Sequence, residues 1–138
     1  MEGIRTKVVM WEYEHRTIAF LEQMPVGVIG FIYRIDNPDT GQYYIGKKST
    51  LANRTLPPLK GQKKKRKVVK ESDWRRYQSS NLIVKAWDSP KKTILRYCYN
   101  KKQLTYWENK YLYCSDVLTD DKSLNDNISG KFFKNDVL

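Results

Sequence analysis

Glu108 is the residue whose chemistry least suits its place. Leu104, Trp107, Tyr111 and Leu112 recur at helical spacing between about Lys101 and Cys114, and Glu108 falls inside that apolar stripe. An ionised carboxylate turned toward apolar neighbours needs a cation or hydrogen-bond donors, because burying it alone is costly or forces it neutral. Two readings stand side by side. One is a salt bridge to one of the many Lys and Arg side chains. The other is a Mg²⁺ ligand, since a hard cation takes one or two carboxylates and completes its shell with water and phosphate. The second chemical feature is charge. From Lys47 to Lys70 there are ten basic residues and no acidic one, whereas the rest of the chain holds 16 basic and 15 acidic residues, so the net charge of +11 belongs to one segment. Such a patch fits a polyanion, with counterion release giving strong, salt-sensitive binding. A solvated loop without a partner is the bland alternative, and Lys63-Lys64-Lys65-Arg66-Lys67-Val68 also has the look of a nuclear localisation signal.

The counts exclude other chemistries. One histidine, His15, and two cysteines, Cys98 and Cys114, cannot supply the three or four N or S ligands of a zinc site. Nor can they frame a secreted disulfide scaffold, so both thiols are expected to be reduced in a cytoplasmic compartment. No apolar run reaches bilayer-spanning length, and MEGIRTKVVMWEYEH does not read as a signal peptide.

The 138 residues suit a single domain, 1–138. Residues from about Arg5 to Leu21 read as a strand and a turn. Val28 to Ile35 is rich in β-formers, Asp36-Asn37-Pro38-Asp39-Thr40-Gly41 is dense turn chemistry, and Gln42 to Ile45 is β-rich again, so the spacing predicts a β-hairpin whose second strand ends at Gly46. Pro57-Pro58 stops any helix begun after Ser49, leaving about 57–71 as a long basic loop. Ser79 or Ser80 can cap a helix through about Trp87, with Leu82, Ile83, Ala86 and Trp87 as its apolar stripe. Thr93 to Tyr99 is a third strand, a second helix runs from Lys101 to Cys114, and Phe132-Phe133 in the polar tail are expected to pack back. Strand pairs followed by helices give an α+β fold with a small three-stranded antiparallel sheet flanked by helices.

Phe31-Ile32-Tyr33 and Tyr44-Ile45-Gly46, on the paired strands of that hairpin, resemble the signature of the GIY-YIG nuclease family. The first tripeptide departs from it in Phe31 for glycine, with Gly30 one residue early, and the ten intervening residues fall in the family's range. Arg54, eight residues after Gly46, matches the family's arginine; Glu108 matches its metal-binding glutamate on a late helix; Asn125, or Asn127, matches its asparagine. The loop from Arg54 to Gly61, the basic run, and Trp74, Tyr77, Ser79 and Ser80 resemble small phage-encoded, stand-alone members. The resemblance covers about 28–128. Many members carry a histidine one turn after the arginine, where this chain has Pro58. That role is therefore dispensable or falls to Lys47, Lys48 or Tyr44.

The resemblance implies a Mg²⁺-dependent endonuclease hydrolysing phosphodiester bonds in double-stranded DNA, with one metal site at Glu108. Tyr33, Tyr44, Arg54, Lys47, Glu108 and Asn125 would form the catalytic set. Tyr33 would accept the proton of the attacking water, provided that Lys47, Lys48 or the metal lowers a phenol pKa that is ordinarily about 10. Arg54 would offer its planar fork to the phosphate, or Arg75 or Arg76 would do so if the loop shifts the alignment. Lys48, Lys60, Lys63, Lys64, Lys65, Arg66, Lys67, Lys70, Arg75 and Arg76 would meet the DNA backbone. Cross-strand aromatic packing is the plain alternative for Tyr33 and Tyr44. The rival function is a non-catalytic, basic nucleic-acid-binding module. Monomer and homodimer both remain open, and no membrane partner is expected.

Overall fold

The computed structural model describes residues 8–137. Two short strands, β1 (Trp11–Tyr13) and β2 (Arg16–Ile18), form a tight hairpin turning through Glu14 and His15 at positive φ. The signature hairpin comes next as β3 (Gly30–Asp36) and β4 (Tyr43–Ser49). β5 (Leu51–Leu56) and β6 (Arg66–Glu71) pair only with each other. A short α1 (Leu82–Lys85), β7 (Lys91–Cys98) and the long α2 (Lys101–Cys114) succeed them, and the chain closes with β8 (Asn127–Ile128), β9 (Phe132–Phe133) and α3 (Lys134–Val137). Among the described residues no helix is long and apolar enough to cross a membrane.

The α+β class and the three central strands are as expected, but the main sheet has five strands in the order β2-β1-β7-β3-β4. The extra pair comes from the N-terminal segment, where β1 lies parallel to β7 and brings fully buried Trp11 into the core. Arg5 to Lys7, at the start of the strand expected there, lie outside the described residues. β4 also does not stop at Gly46: its ladder with β3 continues to Ser49.

β3 is central and buried on both faces. Phe31, Tyr33 and Ile35 point into an aromatic core with Trp11, Trp74, Val84 and Ile94, while Ile32 points the other way, beneath Leu104 and Leu112 of α2. This is the period-two alternation of a strand covered on both sides. The register against β7 shifts between Ile32 and Tyr33, a bulge immediately before the signature tyrosine.

Three further expectations are corrected. The segment 57–71 is not one irregular loop: 66–71 is a strand, because Val68 and Val69 stand opposite Arg54 and Asn53 in a regular ladder, and only 57–65 is the connecting turn. The helix expected from Ser79 or Ser80 instead starts at Asn81, whose side chain accepts from the Ile83 and Val84 amides, and it lasts one turn. Leu82, 81% exposed, and Ile83 leave its stripe; Val84 alone is buried. Phe132 and Phe133 remain nearly half exposed, although Phe132 makes an edge contact with Tyr113.

Gly46 explains the final position of the signature in steric terms. A Cβ built there would lie 2.5 Å from the Tyr33 hydroxyl and 2.6 Å from its Cζ. The Tyr33 ring lies across the strand, over a position only glycine can leave vacant. Gly46→Ala is therefore expected to cost about 1–3 kcal/mol by overpacking a buried ring. It should also dislodge Tyr33, seen as a lowered Tm together with a changed near-ultraviolet tyrosine signal. An unchanged Tm would show that the ring has room to move.

Candidate active site

The site is built around the edge strand β4, whose alternation distributes its side chains to two faces. Tyr43, Ile45 and Lys47 face α2; Tyr44, Gly46 and Lys48 face the aromatic layer around Tyr33. On the α2 side, the Glu108 side chain is 22% exposed. Burial raises its carboxyl above the usual range, opposed by the Lys47 ammonium at 3.9 Å. Lys47 also donates to Thr105 Oγ1 at 3.2 Å. Such a loose pair leaves most of the Glu108 oxygens uncommitted. The carboxylate is thus a half-buried acceptor awaiting a stronger partner.

Glu108 and Tyr44 line one cleft of about 340 Å³, together with Ser80, Asn81, Asn125, Asn127 and Ser129. Asn125 is fixed in its wall. Its Oδ1 accepts from the Ile45 amide at 2.9 Å and its Nδ2 donates to the Ile45 carbonyl at 2.8 Å, so the side chain pairs with β4 as another strand would. Asn127, the alternative, caps a turn by accepting from the Gly130 amide.

On the other face, Tyr33 is only 1% exposed and lies behind Tyr44, with ring centroids 6.3 Å apart. Its hydroxyl interacts with those of Tyr77 and Ser79. The expectation that nearby cations lower its pKa is corrected. Desolvation, then the neighbouring phenols Tyr77 and Tyr44, push it far up. The cations are turned elsewhere: Lys48 pairs with Asp73 at 2.6 Å and lies 4.2 Å over the Tyr77 ring, while Lys47 reaches for Glu108. Burial also raises the Tyr44 phenol. Both tyrosines are therefore neutral hydrogen-bonding groups at physiological pH.

Sequence reading missed the members of this hydroxyl cluster, Tyr77, Ser79 and Ser80, as site residues. Ser79 is fully buried and holds φ +73°, an unusual conformation for a serine. Its position beside Tyr33 comes from a turn between Trp74 and Asn81 that carries no periodic signal.

The arginines separate. Arg54 lies exposed on β5, lines no part of the cleft, and makes no ion pair or hydrogen bond among the described residues. Arg75 is occupied by Glu71 at 3.1 Å and stacks near Phe20 and Trp74. Arg76 is exposed and borders a cavity of about 570 Å³ with Asp73, Tyr77, Ser79 and Lys85. Lys60, Lys63, Lys64, Lys65, Arg66, Lys67 and Lys70 are all exposed on the β5–β6 arm and its turn.

The chain matches the family model described as "Putative endonuclease segE, GIY-YIG domain" over residues 11–137. No curated protein matches it, and no solved structure does.

Proposed function

This chain belongs to the GIY-YIG nuclease family, and on that premise we propose that it is a Mg²⁺-dependent endonuclease that hydrolyses double-stranded DNA in the Tyr44–Glu108 cleft. The observation that carries the reading is the Glu108 carboxylate, half-buried beside the signature strand and held only by a loose contact with Lys47. A divalent cation suits this donor set. Glu108 is a hard anionic ligand, the remaining lining offers neutral oxygens at Ser80, Asn127 and Ser129, and no cluster of three or more His, Cys, Asp or Glu exists among the described residues. One carboxylate with water and phosphate completing the shell is the pattern of a single Mg²⁺ rather than of a metal pair. When bound, such a cation would neutralise charge on the phosphate and acidify water in its shell.

The protein groups then have distinct tasks. Lys47, beside Glu108, offers an ammonium to a non-bridging phosphate oxygen. Arg76 is our choice for the phosphate-binding arginine, since Arg75 is engaged by Glu71 and Arg54 lies out on the arm. Tyr44 presents a neutral hydroxyl to the cleft. Tyr33, buried behind it, is too hard to ionise to store a proton deficit. It acts instead in a relay in which each phenol accepts one proton as it releases another through Tyr77 and Ser79, so that every member remains neutral. Asn125 positions the strand rather than touching substrate.

The deciding experiment is cleavage of supercoiled plasmid with and without Mg²⁺. Nicking that requires Mg²⁺ is expected; binding without cutting under any divalent metal would leave only a DNA-binding module. Within the active protein, Tyr33→Phe should lower turnover by about 10²-fold, the low end of acid–base effects, with DNA affinity unchanged. Wild-type turnover in that variant would reduce the hydroxyl to packing.

A further inference from the structure

The β5–β6 arm is a second feature of the fold, separate from the cleft. It is a two-stranded antiparallel ribbon that joins no other sheet. Isolated ribbons of this kind are marginal in water unless something covers them. Directly opposed residues share a face, so the register sorts its side chains unambiguously. One face carries Ala52, Arg54 and Leu56 opposite Lys70, Val68 and Arg66. Three exposed cations thus stand over a short apolar row of half-buried residues, with no carboxylate among them. The opposite face carries Lys67 but also Glu71, which pairs with Arg75 and accepts from the Trp74 indole.

The root of the ribbon is tied to the core. The Thr50 amide donates to the Ile29 carbonyl at 2.9 Å, the Ser72 amide donates to the Thr50 carbonyl at 2.8 Å, and Ser72 Oγ donates to the Ser49 carbonyl at 2.6 Å. Only Thr50 separates β5 from β4, the strand that carries Tyr44 and Lys47. Whatever the ribbon grips is therefore held in register with the cleft.

We propose that the β5–β6 ribbon enters the major groove of DNA with its Arg54, Arg66 and Lys70 face toward the duplex, Arg54 reading base edges and the other two holding phosphates. The inference rests on the reading of the chain as a DNA endonuclease and extends it from chemistry to recognition. The dimensions agree: a major groove about 12 Å wide admits a two-stranded ribbon. Six residues at about 3.4 Å each reach about 20 Å, or roughly six base pairs at 3.4 Å per pair. Arginine's planar fork suits the paired guanine acceptors O6 and N7, whereas lysine serves phosphate as a point charge. The turn lysines Lys60, Lys63, Lys64 and Lys65 then lie beyond the groove contact, along the backbone.

The test is methylation interference with dimethyl sulfate on a mixed-sequence duplex several turns long, using the full chain in metal-free buffer with chelator. Dimethyl sulfate marks guanine N7 in the major groove and adenine N3 in the minor groove. Interference at guanine N7 is expected, and Arg54→Gln should remove it. The triple variant Arg54→Gln/Arg66→Gln/Lys70→Gln should also flatten the slope of log K against log[salt] by up to about 2.7, at about 0.9 per phosphate contact. Asn53→Ala/Thr55→Ala/Val69→Ser, on the opposite face, should leave both readouts as in the wild type. Interference confined to adenine N3, no base interference at all, or equal losses from the two faces would overturn the proposal. Plasmid cutting in Mg²⁺ is scored separately: intact N7 interference without cutting overturns the nuclease reading and leaves the ribbon's role standing.

Discussion

Glu108→Gln is expected to reduce Mg²⁺-dependent nicking by at least about 10³-fold while leaving DNA affinity in metal-free buffer unchanged. The substitution keeps the shape of the side chain and removes the single negative charge that the cleft offers a cation. Its effect on stability should run the other way. Burial raises the Glu108 carboxyl, so between its ordinary and its raised pKa the folded chain holds a proton that the unfolded chain has lost. Stability from this group therefore falls as pH rises through that window, and at neutral pH the wild type carries a desolvated charge that Gln lacks. The variant should melt at the same temperature as the wild type or higher, and lose its cutting. Loss of activity without loss of stability separates a ligand from a structural ion pair. The same shift sets the acid limb of the nicking rate, which should lie above the ordinary carboxylate range. A variant that both melts early and binds DNA poorly would return Glu108 to the salt-bridge reading with Lys47.

Legibility in the chain divides by mechanism. β3, β4, β7 and α2 were visible because local pattern and tertiary need agree in them: Phe31, Tyr33 and Ile35 alternate with Ile32, and Leu104 and Leu112 bury at helical spacing. Glu108 was visible for the opposite reason, as a charge within that spacing. β1 and β2 are three residues each, too short for periodicity to speak, and are held by Trp11 fitting against residues far along the chain. β6 was masked by its own charge, because Arg66, Lys67 and Lys70 read as solvated loop until their pairing with β5 is seen. The cluster of Tyr77, Ser79 and Ser80 depends on a turn at positive φ, where no spacing rule applies. The neutrality of Tyr33 was also out of reach, since it depends on where Lys47 and Lys48 turn rather than on their nearness in sequence.

Lys92 is expected to be the most costly residue in the core, and Lys92→Met the most stabilising single change. It lies on β7 opposite Trp11 and Ile35, only 1% exposed, with its ammonium 4.4 Å from the Trp11 ring centroid and the Arg75 carbonyl at 3.5 Å as its acceptor. No carboxylate meets it among the described residues, and burial alone lowers its pKa from 10.5 to about 8. Below about pH 8 both folded and unfolded chains carry the charge, and the folded one bears the whole desolvation penalty. From there to about 10.5 the unfolded chain still holds the proton while the folded chain has released it, so the penalty fades as pH rises. The shift of about 2.5 pK corresponds to at most roughly 3 kcal/mol at neutral pH. For a chain of this size that is roughly 10 °C in Tm. Methionine conserves the length and apolar stem of the side chain without the charge, so little packing should be lost. The measurement is thermal unfolding of both proteins at about pH 7, 9 and 10, with the difference in Tm as the readout. The shared response of the buried tyrosines cancels in that difference. An advantage for Lys92→Met that is large at neutral pH and shrinks toward pH 10 is expected. A difference that stays constant across the range would mean that the ammonium keeps its hydration, and that the aromatic wall around it is open to water.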